Sequence, residues 1–210
     1  MQEYQTEQEK FWAGEFGHEY IKRNDGAGTL ANKTAFFAKI ISCLPGGNVG
    51  SCIELGANIG LNLVALRRPL PDLDVAAVEI NAEAAARCAE IPGARVYNSS
   101  LFDFSSGETY DLSFISGVLI HINPDKLTEV YDRLYRHSKR YILISEYYNP
   151  VPVEVNYRGF SDRLFKRDFA GEFMDRFSDV RLLDYGFQYH RDKNFPMDDV
   201  TWFLMEKTKA

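Results

Sequence analysis

Several features are scarce or missing in this sequence of 210 residues, and each absence removes a class of protein. Only three cysteines occur, Cys43, Cys52 and Cys88, and none forms a C-x-x-C pair, so we expect neither disulfides nor a metal site. There is no apolar run of about 18 residues and no signal peptide, which indicates a cytoplasmic protein without a membrane partner. The formal net charge of −6 shows none of the excess positive charge that is typical of nucleic-acid-binding proteins.

The composition that is present is typical of a folded protein with one core. Hydrophobic residues make up 45% of the chain and aromatic residues 14%, and no Pro/Gly/Ser tract or internal repeat suggests a linker. This length is sufficient for one full α/β domain and too short for two large ones. We therefore predict a single domain over residues 1–210.

A glycine-containing turn follows an apolar run early in the chain. Ser51–Leu55 carries one acid, Glu54, and gives way to Gly56 and Gly60, after which a helical pattern begins. The pattern predicts a strand, a tight turn and a helix, in which Gly56 leaves the backbone open to a ligand and Gly60 lets the helix start lie close against the strand. Exposed N–H groups there suit a small molecule. An ordinary strand-to-helix turn is the alternative reading.

A second acid stands where a neighbouring strand is expected to end. Residues 74–80 form an apolar segment that closes with Glu79 and Ile80. In a βαβ unit this spacing places the Glu79 carboxylate beside the glycine turn, where it can accept both hydroxyls of an adenosine ribose, with Ile80 along the adenine. A solvated acid at the strand end is the alternative.

The rest of the chain continues the alternation of strands and helices. Residues 94–98, 110–121 and 141–145 read as further strands, 179–189 and 201–206 as a terminal hairpin, and 165–177 as an amphipathic helix. We predict an α/β fold: a doubly wound, mostly parallel seven-stranded sheet with helices on both faces and the last strand antiparallel.

The turn resembles motif I of the S-adenosylmethionine-dependent methyltransferases of the Rossmann-like class, E/D-x-G-x-G-x-G, with Asn58 where the middle glycine usually stands. Over about residues 11–207, strings such as ELGANIGLN, GVLIHINP and YILISEYYNP resemble the methylases associated with pseudaminic acid biosynthesis. The resemblance implies a monomeric or homodimeric enzyme that uses S-adenosylmethionine and releases S-adenosylhomocysteine. It implies O- or N-methylation of a small acidic metabolite, such as a surface-sugar (nonulosonic acid) or sugar-nucleotide intermediate.

The resemblance also gives roles to the N-terminal segment. Residues 1–30 are expected to form a helical lid over the cofactor, because large rings recur at one-turn spacings in an otherwise polar stretch. Trp12, Tyr20 and Arg23 would wall the site, with Arg23 near the methionine carboxylate. A helix that only covers the core is the alternative.

Two further segments are expected to contact the cofactor. Ser100 occupies the position at which these enzymes usually read adenine with an acid, so its contact with the base would be weaker, and Leu101 would supply a backbone N–H. The carbonyls of Ser116 and Gly117 would take the cofactor ammonium.

Methyl transfer requires alignment of the acceptor and, for O–H or N–H⁺ acceptors, a base. His121 is the first candidate for that base, because its unperturbed pKa of about 6.5 suits neutral pH. A His that only forms the pocket floor is the alternative. Glu146, Tyr148 and His190 compete for the role, as does Tyr147, which we also assign to the substrate site.

The segment 150–163 has no periodicity and is predicted to be a substrate loop carrying Tyr157 and Arg158. Four cations are expected near its mouth, which would suit a carboxylate or phosphate on the substrate: Arg158, Lys166, Arg167 and Arg191. Surface solvation is the alternative for Lys166 and Arg167.

Other function classes remain open on the sequence. A Rossmann oxidoreductase would use a similar turn, although the G-x-G-x-x-G of dinucleotide sites is missing. A cofactor-binding protein without catalysis would keep the same two acids. A nucleic-acid methyltransferase is disfavoured, because Asn149 and Pro150 follow the fifth predicted strand and no basic track accompanies them.

Overall fold

The computed structural model describes residues 4–23, 27–45, 49–159 and 161–208, without the side chains of residues 22, 23 and 27. The helices of this part of the chain are α1 (Glu7–Ala13), α2 (Glu15–Arg23), α3 (Ala27–Ser42), α4 (Leu61–Arg67), α5 (Ala82–Cys88), α6 (Leu127–Arg136) and α7 (Phe169–Arg176). The strands are β1 (Ser51–Leu55), β2 (Asp74–Glu79), β3 (Arg95–Asn98), β4 (Tyr110–Ser116), β5 (Ser138–Glu146), β6 (Val153–Glu154), β7 (Phe165–Lys166), β8 (Val180–Phe187) and β9 (Thr201–Lys207).

The main sheet has seven strands in the order β3-β2-β1-β4-β5-β9-β8. Strands β1 to β5 pair in parallel, and β9 runs antiparallel between β5 and β8. The predicted sheet with an antiparallel last strand is therefore confirmed. The strand order reverses between β1 and β4, and a crevice for ligands is expected at the carboxyl ends of these strands.

Both faces of the sheet are covered by helices, because alternate residues of each buried strand pack in opposite directions. Helices α3 and α4 pack on one face, with Phe37 and Leu63 fully buried there. Helices α6 and α7 pack on the other. The helical spacing of Leu127, Val130 and Leu134 places all three against the sheet. In the part of the chain that the structure describes, no helix is both long and apolar enough to span a bilayer.

The fourth strand is shorter than the sequence predicts. It ends at Ser116, and the chain turns at Gly117, whose φ of 69° is left-handed, into a 3-10 turn over Leu119–His121. The cause is a buried acid on the next strand: one carboxylate oxygen of Glu146 accepts the N–H groups of Val118 and Leu119, both at 2.9 Å. These bonds replace the ladder bonds that a continued strand would make.

The last helix begins later than predicted. Phe165–Lys166 pairs as a strand with Val153–Glu154 in a small separate hairpin, so the loop predicted over 150–163 is partly ordered by backbone pairing. Helix α7 then starts at Phe169, where the Asp168 side chain accepts the N–H of Gly171 at 2.9 Å. Phe169 and Phe173 are buried in the core, as the aromatic stripe predicts.

Candidate functional site

A cavity of about 570 Å³ lies at the carboxyl ends of β1, β2, β4 and β5, beneath helices α1 and α2. Its size is in the range of small-molecule sites. The predicted site residues that line it are Trp12, Tyr20, Glu54, Gly56, Asn58, Glu79, Ile80, Ser100, Leu101, Ser116, Gly117, His121, Glu146, Tyr147, Tyr157 and Arg158. The structure thus brings residues from most of the chain to one chamber.

The glycine-containing turn has the left-handed backbone that its residue types allow. Gly56, Asn58 and Gly60 have φ values of 78°, 49° and 77°, respectively. The packing role predicted for Gly60 was wrong in one respect. A Cβ at Gly60 would lie 2.5 Å from Ile91 and 2.8 Å from Cys88. The missing side chain therefore leaves room for α5 and the residues after it to pack closely, and not for the preceding strand. Gly60 itself does not line the cavity formed by the described residues.

Glu79 ties the turn to the end of β2. One carboxylate oxygen accepts the Asn58 N–H at 2.7 Å and the other accepts the Asn81 N–H at 2.8 Å. Burial raises the pKa of Glu79, and these backbone bonds oppose the rise. Because a carboxylate offers about four acceptor positions, the two oxygens retain room for two more donors. A diol facing the cavity is a partner of this kind.

Glu54 belongs to a polar chain that the sequence reasoning missed. Asn62 donates from Nδ2 to Glu54 at 2.5 Å, and Lys33 donates from Nζ to Asn62 Oδ1 at 2.7 Å. Burial raises the pKa of Glu54 and lowers that of Lys33. The second oxygen of Glu54 is buried and has no hydrogen-bond partner among the described residues. Asn62, two residues beyond Gly60 in the first turn of α4, was a detectable signal; Lys33 was hidden in a helix read only as packing.

Glu146, at the end of β5, is a further buried acid of the cavity. Its first oxygen holds the 3-10 turn described above, and its second oxygen is buried without a partner in the described part of the chain. Burial raises its pKa to about 7, against the opposing effect of the backbone N–H donors of the turn. A carboxyl group with this pKa exchanges a proton near neutral pH.

His121 lies between two aromatic rings, with ring centroids 4.7 Å from Trp12 and 5.0 Å from Tyr157. Its Nδ1 is 2.6 Å from the carbonyl oxygen of Arg163, which can only accept, so Nδ1 carries the proton and Nε2 a lone pair. Burial lowers the pKa of His121 to about 4. The unperturbed pKa on which the choice of His121 as base rested therefore does not apply to this enclosed imidazole.

The base of the cavity nearest β3 is closed by the N-terminal helix α1. Ser100 donates a hydrogen bond to the buried carboxylate of Glu9 and accepts the N–H of Phe102 at 3.0 Å. Asn81 also donates to the Trp12 carbonyl at 3.3 Å, which fixes the end of α1 beside β2. The lid predicted over residues 1–30 stays a prediction, and the Arg23 side chain lies outside the described residues.

Besides Gly60, three predicted site residues of the described part of the chain do not line the cavity. Tyr148 is exposed and contacts the Phe203 ring, with centroids 5.9 Å apart. His190 is exposed and pairs with Asp199, its Nδ1 lying 2.9 Å from a carboxylate oxygen. Arg191 is exposed beside it. The connection between β8 and β9 instead reaches the cavity through a later stretch, Pro196, Met197 and Asp198.

The predicted cluster of cations is largely dispersed. Arg158 lines the cavity, but Arg167 forms an ion pair with Glu172 at 2.6 Å, and Lys166 lies over the Tyr147 ring at 5.2 Å from its centroid. In the described residues, no group of three His, Cys, Asp or Glu side chains is arranged to hold a metal ion.

No protein-family model and no curated protein matches the sequence. Solved structures with a similar fold include magnesium protoporphyrin IX methyltransferase from Synechocystis with bound SAH, at TM-score 0.69 and 12% identity over 95% of this chain and 97% of that one. Another is the 1,6-didemethyltoxoflavin-N1-methyltransferase of Burkholderia thailandensis with bound 1,6-didemethyltoxoflavin and S-adenosylhomocysteine, at TM-score 0.70 and 14% identity over 96% and 87%. A third is an S-adenosylmethionine-dependent methyltransferase from Clostridium acetobutylicum, at TM-score 0.62 and 11% identity over 91% and 97%. At these identities the likeness shows that the fold is shared.

Proposed function

We propose that this chain is an S-adenosylmethionine-dependent methyltransferase that acts on a small molecule. The observation that carries the proposal is the convergence of Glu54, Glu79 and the glycine-containing turn on one cavity where the strand order reverses. The fold is also that of methyltransferases solved with S-adenosylhomocysteine bound.

The cavity has the groups that such a cofactor needs. Glu79 retains acceptor positions for the ribose hydroxyls, and Ile80 borders the space beyond it. The unpartnered oxygen of Glu54 and the carbonyls of Ser116 and Gly117 suit an ammonium group. We assign the methionine carboxylate to Lys33, which lines the same cavity and donates to Asn62 beside Glu54.

Bound S-adenosylmethionine supplies a methyl group that is already activated on a sulfonium, so the protein contributes mainly alignment, which is worth about 7–11 kcal/mol when geometry is good. Trp12, Tyr20 and Tyr157 form aromatic walls that restrict the acceptor. Glu146, which lines the cavity, takes the acceptor proton, because its pKa of about 7 matches neutral conditions. His121, with a pKa of about 4, is a weak base and orients the acceptor through Nε2.

The finer substrate assignment is also a proposal. An acidic metabolite, such as a surface-sugar or sugar-nucleotide intermediate, would place its anionic group at the mouth of the cavity, where Arg158 is exposed. Its hydroxyl or amine would point inward to Glu146. The resemblance to methylases associated with pseudaminic acid biosynthesis supports this setting.

The direct test incubates the protein with methyl-labelled S-adenosylmethionine and fractionated cell extract, followed by mass spectrometry of small metabolites. We expect one class of small acidic metabolite to gain a labelled methyl group and a Glu79→Ala control to transfer far less. Binding of the cofactor without transfer to any fraction would favour a non-catalytic binding protein. Binding of NAD in its place would favour an oxidoreductase.

A further inference from the structure

We infer that Glu9 of helix α1 supplies the acid that recognises the exocyclic amine of the adenine base. The inference rests on the proposed function, since it concerns the cofactor of that same cavity. It makes the N-terminal helix part of the base-binding pocket, and it assigns to residue 9 a contact for which Ser100 alone offers only a hydroxyl.

The position of Glu9 relative to the adenine base follows from the ends of the neighbouring strands. With the ribose on Glu79 at the end of β2, a base extends across Ile80 towards the end of β3, where Ser100 and Leu101 line the cavity. Glu9 also lines the cavity, and its carboxylate accepts the Ser100 hydroxyl. The acid therefore stands at the edge of the space that the base would fill.

Glu9 is held rigidly and has an acceptor position left. Its Oε2 accepts the N–H groups of Gln5 at 2.6 Å and of Thr6 at 3.0 Å, and the bond from Thr6 is part of the capping box that starts α1. Its Oε1 accepts the Ser100 hydroxyl. Of about four acceptor positions on a carboxylate, three are used, and the remaining one is on Oε1. Because a carboxylate oxygen can only accept a hydrogen bond, this position favours a 6-amino purine and opposes a 6-oxo purine.

The first experiment compares two ligands on the unaltered protein by isothermal titration calorimetry: S-adenosylhomocysteine and S-inosylhomocysteine, which carries oxygen in place of the amine. We expect the adenosyl compound to bind about 10- to 150-fold more tightly, the range for one hydrogen bond to a charged group. Equal affinities would overturn the role of Glu9 while leaving the proposed function intact. If neither compound binds, the proposed function fails first.

The second experiment repeats both titrations on Glu9→Gln and on Glu7→Gln, an exposed acid of the same helix. The two capping N–H groups require the amide oxygen of Gln on their side, so the amide NH₂ turns to the cavity and becomes a donor. We expect Glu9→Gln to lose the adenosyl preference or to reverse it, and Glu7→Gln to keep it. A Glu9→Gln protein that keeps the unaltered ratio of affinities would overturn the inference, and the first experiment decides it if this variant does not fold.

Discussion

Removal of the Glu79 carboxylate tests the assignment of the ribose site. In the structure its two oxygens accept backbone N–H groups at 2.7 and 2.8 Å and keep about two further positions free for a diol. One hydrogen bond to a charged group contributes about 1.5–3 kcal/mol, so Glu79→Ala, which removes two, should weaken S-adenosylhomocysteine binding by at least that amount, or at least roughly 10- to 150-fold in Kd. The loss also leaves the Asn58 and Asn81 N–H groups without their acceptor, which costs stability.

The assay is isothermal titration calorimetry at a temperature where the variant is folded, as verified by circular dichroism. Glu83→Ala is the matched control, because Glu83 is an exposed acid of the adjacent helix α5 and does not line the cavity of the described residues. It should bind as the unaltered protein does. A folded Glu79→Ala protein with an unchanged Kd would refute the ribose assignment, since among the described residues no other acid is placed at the end of β2 to replace both hydrogen bonds.

Three further outcomes are expected. Lys33→Gln should weaken binding of S-adenosylhomocysteine but not of 5′-methylthioadenosine, which lacks the amino-acid part. Lys39→Gln, a change at an exposed position of the same helix, should affect the binding of neither ligand. Equal losses of affinity for both ligands in Lys33→Gln would contradict the assignment of the carboxylate to Lys33. In the folded protein the pKa of Glu146 is about 7, above the usual 4.5. Its contribution to the free energy of unfolding is therefore complete below pH 4.5 and is lost as the pH rises through 7. Glu146→Gln should remove up to roughly 3 kcal/mol of this pH dependence in chemical denaturation, and an unaltered pH dependence would show that the carboxyl is not buried in this way. Arg158→Gln should raise the KM for an acidic acceptor found by the labelling assay with little change in kcat, whereas Arg191→Gln should not; a fall in kcat alone would argue against a role in holding an anion.

The sheet and its glycine-containing turn could be predicted because their signals are local. The apolar run of Ser51–Leu55, the following glycines and the helical spacing of α6 each lie within a few residues, and each forms the element expected. The convergence of Glu54 and Glu79 then follows from the parallel topology, which sets their strands side by side.

The parts that could not be predicted depend on contacts between distant segments. Glu9 and Ser100 are 91 residues apart, and the capping box signals only the start of a helix, not the partner of its acid. The early end of β4 depends on Glu146, 28 residues beyond Val118. The low pKa of His121 comes from burial, which tertiary packing sets and no local pattern encodes.

The central claim is that the cavity at the ends of β1 and β2 holds the adenosyl part of a methyl donor. Calorimetric titration of the unaltered protein with S-adenosylhomocysteine, and separately with NAD, tests it most directly. We predict saturable one-to-one binding of S-adenosylhomocysteine and no binding of NAD. Binding of NAD, or no heat with S-adenosylhomocysteine, would contradict the claim.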